Sequence, residues 1–363
     1  MAYRIHRLND GEPIVNAALF DAAGLPDDGW NLNGPSPIAL PDWLPPDRRA
    51  SPDARYYLYF AHHGGRYIRM AWARDVEGPY RLFNVDRRSG PSPGRGVFDL
   101  ELGESPGALR FDNGVEVHDH VASPDVHLDH ENRRFVMYFH GPTNSTAPVV
   151  PGETGGQKSL VATSASGLNF NTPDRGGEAS HGPRPALLGN AYFRVFEHGG
   201  RIYAFSNGGR VWGAPVDAPW APADPPTADA WERGPNPLAD AVAAQGDRPE
   251  VDPRHMAVRF LDDRRLEVFF TGRGDAPEVV ERVEIDLGVG DWHDWRVTGP
   301  PERVLTVERP WEGVDLPIEP SASGAAYAPA HHLRDPGLLE VGDAAFLFYC
   351  GAGEQAIGVA RLG

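Results

Sequence analysis

Two short stretches place an aspartate beside a proline at the head of an apolar segment: Arg334-Asp335-Pro336 and Ser123-Pro124-Asp125. Each leads into an aromatic run that ends in glycine, FLFYCG in the first case and FVMYFHG in the second. Asp and Pro favour plain turns, but two such pairings at equivalent places in different units make Asp125 and Asp335 candidate functional carboxylates. Further along, Trp311 and Glu312 sit together on a loop, either as a stacking platform with an acid beside it or as a packed loop anchor. The chemistry on offer is recognition of a polar ligand by carboxylates, imidazoles and guanidiniums.

The elements that must position these groups are hairpins. Five aromatic strands stand out, at Tyr56–His63, Phe135–Gly141, Ile202–Gly208, Leu266–Gly272 and Ala345–Gly351, each running into a turn that carries Gly or His. A short strand precedes each (Pro37–Leu40, Val121–His127, Tyr192–Phe196, His255–Phe260, Leu333–Glu340) and a third follows (Tyr67–Ala73, Leu160–Ser164, Val211–Pro215, Val279–Leu287, Ile357–Leu362). Fourth strands are expected at Tyr80–Val85 and Trp295–Thr298. Four antiparallel strands repeated five times predict an all-β, five-bladed β-propeller over residues 1–363, a single domain. The last unit lacks a fourth strand, and Tyr3–Leu8 alternates in the way that would supply it and close the ring. A β-sandwich with long loops is the alternative. Ser89–Gly107, Thr143–Gln157 and Asp217–Asp247 are loops by composition, with a short helix expected at Leu238–Ala244.

In such a blade the start of the first strand and the turn after the second meet at one rim. That rim collects Asn31, Asn33, His62 and His63 from unit one, and His118, His120, Ser123, Asp125 and His140 from unit two. Units three to five add Tyr192, Arg194, Asn207, Arg254, His255, Arg273, His331, His332, Arg334, Asp335 and Glu354. Asn33, His120, Arg194, His255, Trp311 and Arg334 are the expected substrate-binding groups.

Composition narrows the classes. A net charge of −17 argues against nucleic acid or an anionic membrane as partner. No apolar run approaches the length of a membrane span. Lys158 is the only lysine, and Cys350, the only cysteine, lies in an apolar strand where a buried thiol is expected. The N-terminus has no secretory pattern, so a cytoplasmic location is expected. No His/Cys/Glu spacing matches a zinc site. No cofactor is expected, although a divalent cation on the axis, held through water and His255, stays open.

These motifs resemble the five-bladed β-propeller glycoside hydrolases, the group of arabinanases, β-xylosidases, invertases and anhydrogalactosidases of families 43, 32 and 117. The carriers are Arg334-Asp335-Pro336 with FLFYCGAGE, Ala122-Ser123-Pro124-Asp125 with FVMYFHG, VATSASGLNF, and YIRMAWARDVEGPY with its Gly-Pro-aromatic end. The resemblance implies paired carboxylates, one kept ionised and one protonated, with Asp335 as base and Asp125 as the second aspartate. Two departures stand beside it. Unit one carries Asn31-Leu-Asn33-Gly34-Pro35 where many members place the base, and unit three opens Tyr192-Phe193-Arg194 without the usual acid glutamate. Glu312 and Glu354 are the substitute acids. The expected activity is hydrolysis of a small or terminal glycosyl unit. The alternatives are phosphorolysis, with Arg194, Arg254, His255 and Arg273 as a phosphate cradle, and a non-catalytic carbohydrate-binding propeller.

Overall fold

A computed structural model describes residues 4–84, 95–102, 107–111, 114–144, 156–171, 186–190, 192–216, 231–248 and 250–363. The loop expected at Thr143–Gln157 and the first half of Asp217–Asp247 lie largely outside these residues, as does Val85. Within Ser89–Gly107, residues 95–102 are described and are not all loop, since they hold the short strand Phe98–Asp99 and a 3-10 turn at Leu100–Leu102.

The strands form five antiparallel sheets that are the blades of a propeller. Blade one runs Asn33–Ala39, Tyr56–Ala61, Tyr67–Ala73 and Arg81–Leu82, with Phe98–Asp99 also pairing the third strand. Blade two is Ala122–Asp129, Arg134–Pro142, Gln157–Ser164 and Ala186–Asn190. Blade three is Arg194–His198, Arg201–Phe205, Val211–Gly213 and Glu232–Arg233. Blade four is Asp252–Asp262, Arg265–Arg273, Val280–Asp286 and Glu302–Leu305. Blade five is Arg334–Val341, Ala344–Gly351 and Ala356–Leu362, with Ile5–Arg7 paired to its third strand as the fourth. The fourth strand of blade four is therefore not Trp295–Thr298. Trp295 ends a short 3-10 turn and is buried against Phe196 and Tyr203, while Glu302–Leu305 takes the ladder. The short helix spans Pro237–Ala243, capped by the Asn236 side chain.

The second strands are largely apolar because each serves two cores; the buried Glu267, paired with Arg259 and Arg282, interrupts the run in blade four. Side chains alternate across a strand, so Tyr57, Tyr59 and Ala61 enter the core shared with blade two, and Leu58 and Phe60 the core shared with blade five. Phe135, Met137 and Phe139 face blade one, whereas Val136 and Tyr138 face blade three. Leu347 and Tyr349 face blade four, and Phe348 and Cys350 face blade one. Five blade–blade cores follow, and none lies within a single blade.

Candidate active site

Four of the five inner strands enter their blades through a similar irregularity. Pairing skips between Asn33 and Ser36, between Ala122 and Asp125, between Arg254 and Ala257, and between Arg334 and Gly337. The residue just inside each skip has left-handed backbone: Gly34 at φ 60°, Ser123 at 49°, His255 at 54° and Asp335 at 49°. Tyr192, at φ 66°, is the counterpart in blade three, just before pairing begins at Arg194. A β-bulge re-aims a side chain that the pleat would send sideways, and these five residues meet at the centre. His255 Nε2 lies 3.5 Å from Asp335 Oδ1, the Tyr192 and His255 rings are 5.6 Å apart, and Gly34 abuts Ser123.

Asp335 is the one carboxylate among the five. It is 0% exposed, and neither of its oxygens has a hydrogen-bond partner. Burial, then the neighbouring Glu354 charge, pushes its carboxyl up to about 7. Behind it runs a chain of ion pairs. Arg254 clamps Glu278 through Nε at 2.8 Å and Nη2 at 2.6 Å, and Arg334 Nε donates to the same carboxylate at 3.0 Å. Arg334 Nη1 reaches Glu354 at 3.2 Å; the other oxygen of Glu354 accepts from Asn31 at 2.6 Å and lies 3.0 Å from His63 Nδ1. Burial works to raise Glu354, but His63, Arg334 and Asn31 outweigh it and hold the carboxylate ionised down to about 2.

The imidazoles divide accordingly. Burial opposes charge on His63, yet Glu354 and Asp335 raise it. Burial drives His140 and His255 well below the usual range and His120 to about 4, each helped by cationic or imidazole neighbours. His140 lies against Tyr192 at 4.0 Å between ring centres, and His120 bridges from His140 at 6.5 Å to His63 at 6.1 Å. Both nitrogens of His140, His120 Nε2, Ser123 Oγ and Asn33 Oδ1 are buried without a hydrogen-bond partner. A buried polar atom left unpaired costs about 1–3 kcal/mol, so these are atoms that water or a bound ligand can satisfy.

The structure thus brings Asp335, Glu354, Asn33, His120, His255 and Arg334 together. Arg194 lies at the edge of the cluster and is committed to backbone, donating to Met256, Ser123 and Pro124 carbonyls at 3.0–3.1 Å. Three expected residues sit elsewhere. Aligned on proline, Ser123 and not Asp125 matches Asp335. Asp125 falls two residues further along, where it accepts from Val195 N–H at 2.8 Å and pairs with His127 at 2.9 Å. It lines a separate cavity of about 370 Å³ among the inner strands, none of whose lining residues belongs to the bulge ring. Glu312 is fully buried in the joint between the N-terminal strand and blade five, bonded by Arg7, Tyr349 Oη and the Glu308 and Arg309 amides. Trp311 is an anchor there: its Nε1 donates to Gly11 at 2.7 Å, its ring stacks on Tyr349, and Gly351 and Gly358 leave room for it. Glu278 was not singled out from the sequence. The available signal was two arginines at equivalent places, Arg254 and Arg334, which together require a carboxylate.

Among the described residues no group of three or more His, Cys, Asp or Glu side chains is arranged to hold a metal ion, and no helix is long and apolar enough to cross a membrane.

No family model matches the chain. An uncharacterized protein of Acanthamoeba polyphaga mimivirus is 29% identical over 344 residues, 93% of this chain and 85% of that one. Among solved structures, a glycosyl hydrolase from Bacteroides ovatus superposes with a TM-score of 0.54 at 10% identity, covering 99% of this chain and 94% of that one. A family 43 β-xylosidase/α-arabinofuranosidase from a compost microbial metagenome gives a TM-score of 0.50 at 13% identity, with coverage of 99% and 95%. A structure from family 130, described as mannoside phosphorylases that include hydrolases of β-1,2 mannosidic linkages in Candida mannan, gives 0.52 at 12% identity, with coverage of 99% and 94%. The fold is that of five-bladed propeller glycosidases.

Proposed function

We propose that the chain is a glycoside hydrolase that holds one small or terminal glycosyl unit against the Asp335 cluster. The observation that carries this is the buried, unpartnered Asp335 carboxyl, surrounded by unpaired hydroxyl, amide and imidazole atoms that sugar hydroxyls can satisfy as donors and acceptors. Two carboxyls with pKa values pushed apart divide acid–base labour. Asp335, protonated up to about pH 7, suits the acid that delivers a proton to the leaving oxygen as the glycosidic C–O bond breaks. This is the reverse of the base role implied by resemblance. Glu354, held ionised, stabilises positive charge developing on the sugar ring, and water completes hydrolysis.

Phosphorolysis fits less well. Arg194 is spent on carbonyls, Arg254 on Glu278 and Arg273 on Asp252, and burial keeps His255 neutral. The cradle expected for phosphate is therefore already engaged.

The test is a panel of arabinofuranosides, xylosides, galactosides, fucosides and mannosides, with and without phosphate. On 4-nitrophenyl glycosides Asp335→Asn lowers kcat by about 10²–10⁴-fold. On 2,4-dinitrophenyl glycosides, whose leaving group needs little protonation, it loses much less. Equal losses on both would return Asp335 to the base role. Turnover that requires phosphate would make the protein a phosphorylase. Absence of turnover on every glycoside would leave a carbohydrate-binding propeller.

A further inference from the structure

Trp30 and Tyr327 come from opposite ends of the chain and meet at the seam between blades one and five. Their ring centres are 5.8 Å apart at 55°, and they remain 40% and 57% exposed. Trp30 is fixed rather than loose. Its Nε1 donates to the Asp27 carbonyl at 2.7 Å, and its ring meets His62 edge-on at 4.3 Å.

Both aromatics are one residue away from the carboxylate network. Asn31, next to Trp30, is fully buried and donates to Glu354. Ala326, next to Tyr327, offers its carbonyl to the Asn31 and Gln355 amides at 3.4 and 2.9 Å. An exposed aromatic pair tied by hydrogen bonds to a buried polar cluster has the layout of a stacking site.

We propose that Trp30 and Tyr327 form a second carbohydrate subsite, which holds the sugar ring adjoining the unit bound at Asp335. This rests on the function proposed above and makes it more specific. The preferred ligand is the end of a neutral oligosaccharide, not a glycoside with a small alkyl aglycone. Its apolar ring face packs on the aromatic saddle while the terminal unit meets Asp335.

The test uses trisaccharides of xylose, arabinose, galactose and mannose beside the matching methyl glycosides. Affinity is measured by calorimetry on full-length Asp335→Asn protein, which separates binding from turnover, and kcat/KM on the wild type. At least one trisaccharide should bind about tenfold tighter than its methyl glycoside, and Trp30→Ala or Tyr327→Ala should abolish that advantage. Val289→Ala, which alters an exposed apolar side chain elsewhere, should retain it. Thermal melts show that each variant is folded. Equal affinity for trisaccharide and methyl glycoside, an advantage that survives both aromatic substitutions, or no binding of any sugar would each overturn the subsite. Sugar binding that depends on Trp30 without turnover would uphold the subsite and refute the hydrolase.

Discussion

The buried polar cluster concentrates its consequences in Asp335. Its carboxyl rises from 3.8 to about 7 on folding, so between those values the folded chain holds a proton that the unfolded chain has lost. Stability from this group is therefore full below about pH 4 and declines as pH rises through 7. Glu354 has the opposite sign. Lowered from 4.5 to about 2, it contributes stability above about pH 4.5 that is lost as pH falls toward 2. Asp335→Asn removes only the first effect. Its melting temperature, relative to wild type, should climb by roughly a few degrees between pH 4 and pH 8. Parallel melting curves across that range would show that Asp335 does not titrate there.

The bulge explains why some of the site was legible and some was not. Arg334-Asp335-Pro336 announces itself because charge, turn chemistry and a following apolar strand agree. Asp125 carries the same signals, yet the chain presents Ser123 at that place. The proline, not the aspartate, marks the register: Ser123 sits inside the bulge and is re-aimed to the centre, whereas Asp125 lies just past it, where regular pairing resumes. Trp311 and Glu312 were ambiguous for another reason. Their partners Arg7, Gly11 and Tyr349 are distant in sequence, and no local pattern shows that an acid's lone pairs are already taken. The aromatic strands were plain from the start because a strand that feeds two cores is apolar on both faces. Gly34 shows how tight the ring is: a Cβ there would stand 2.6 Å from Ser123 Cα, at a φ of 60° that side chains resist. Gly34→Ala should destabilise the fold by at least about 1–3 kcal/mol from backbone strain alone, measured by urea unfolding. A neutral result would mean that blades one and two can separate at the axis.

Across the whole ring, the N-terminal strand is both closure and clamp. Ile5–Arg7 covers the edge of Ala356–Leu362, and Arg7 is bonded to the fully buried Glu312. A chain that begins at Asn9 would leave that edge open and strand a buried carboxylate without its guanidinium. Loss of one partner of such a pair costs about 3–5 kcal/mol, and the open edge invites association. Lower thermal stability with concentration-dependent light scattering is the expected result; an unchanged melt would show that the ring closes without the strand. The left-handed position shared by all five inner-strand entrances has a consequence. Each blade makes the same backbone demand at one position and leaves the side chain there to selection, so a reactive group can migrate from one blade to its neighbour by substitution, with no rearrangement of the chain. Gly34 in blade one and Asp335 in blade five occupy that same position, one with no side chain and one with a buried carboxylate.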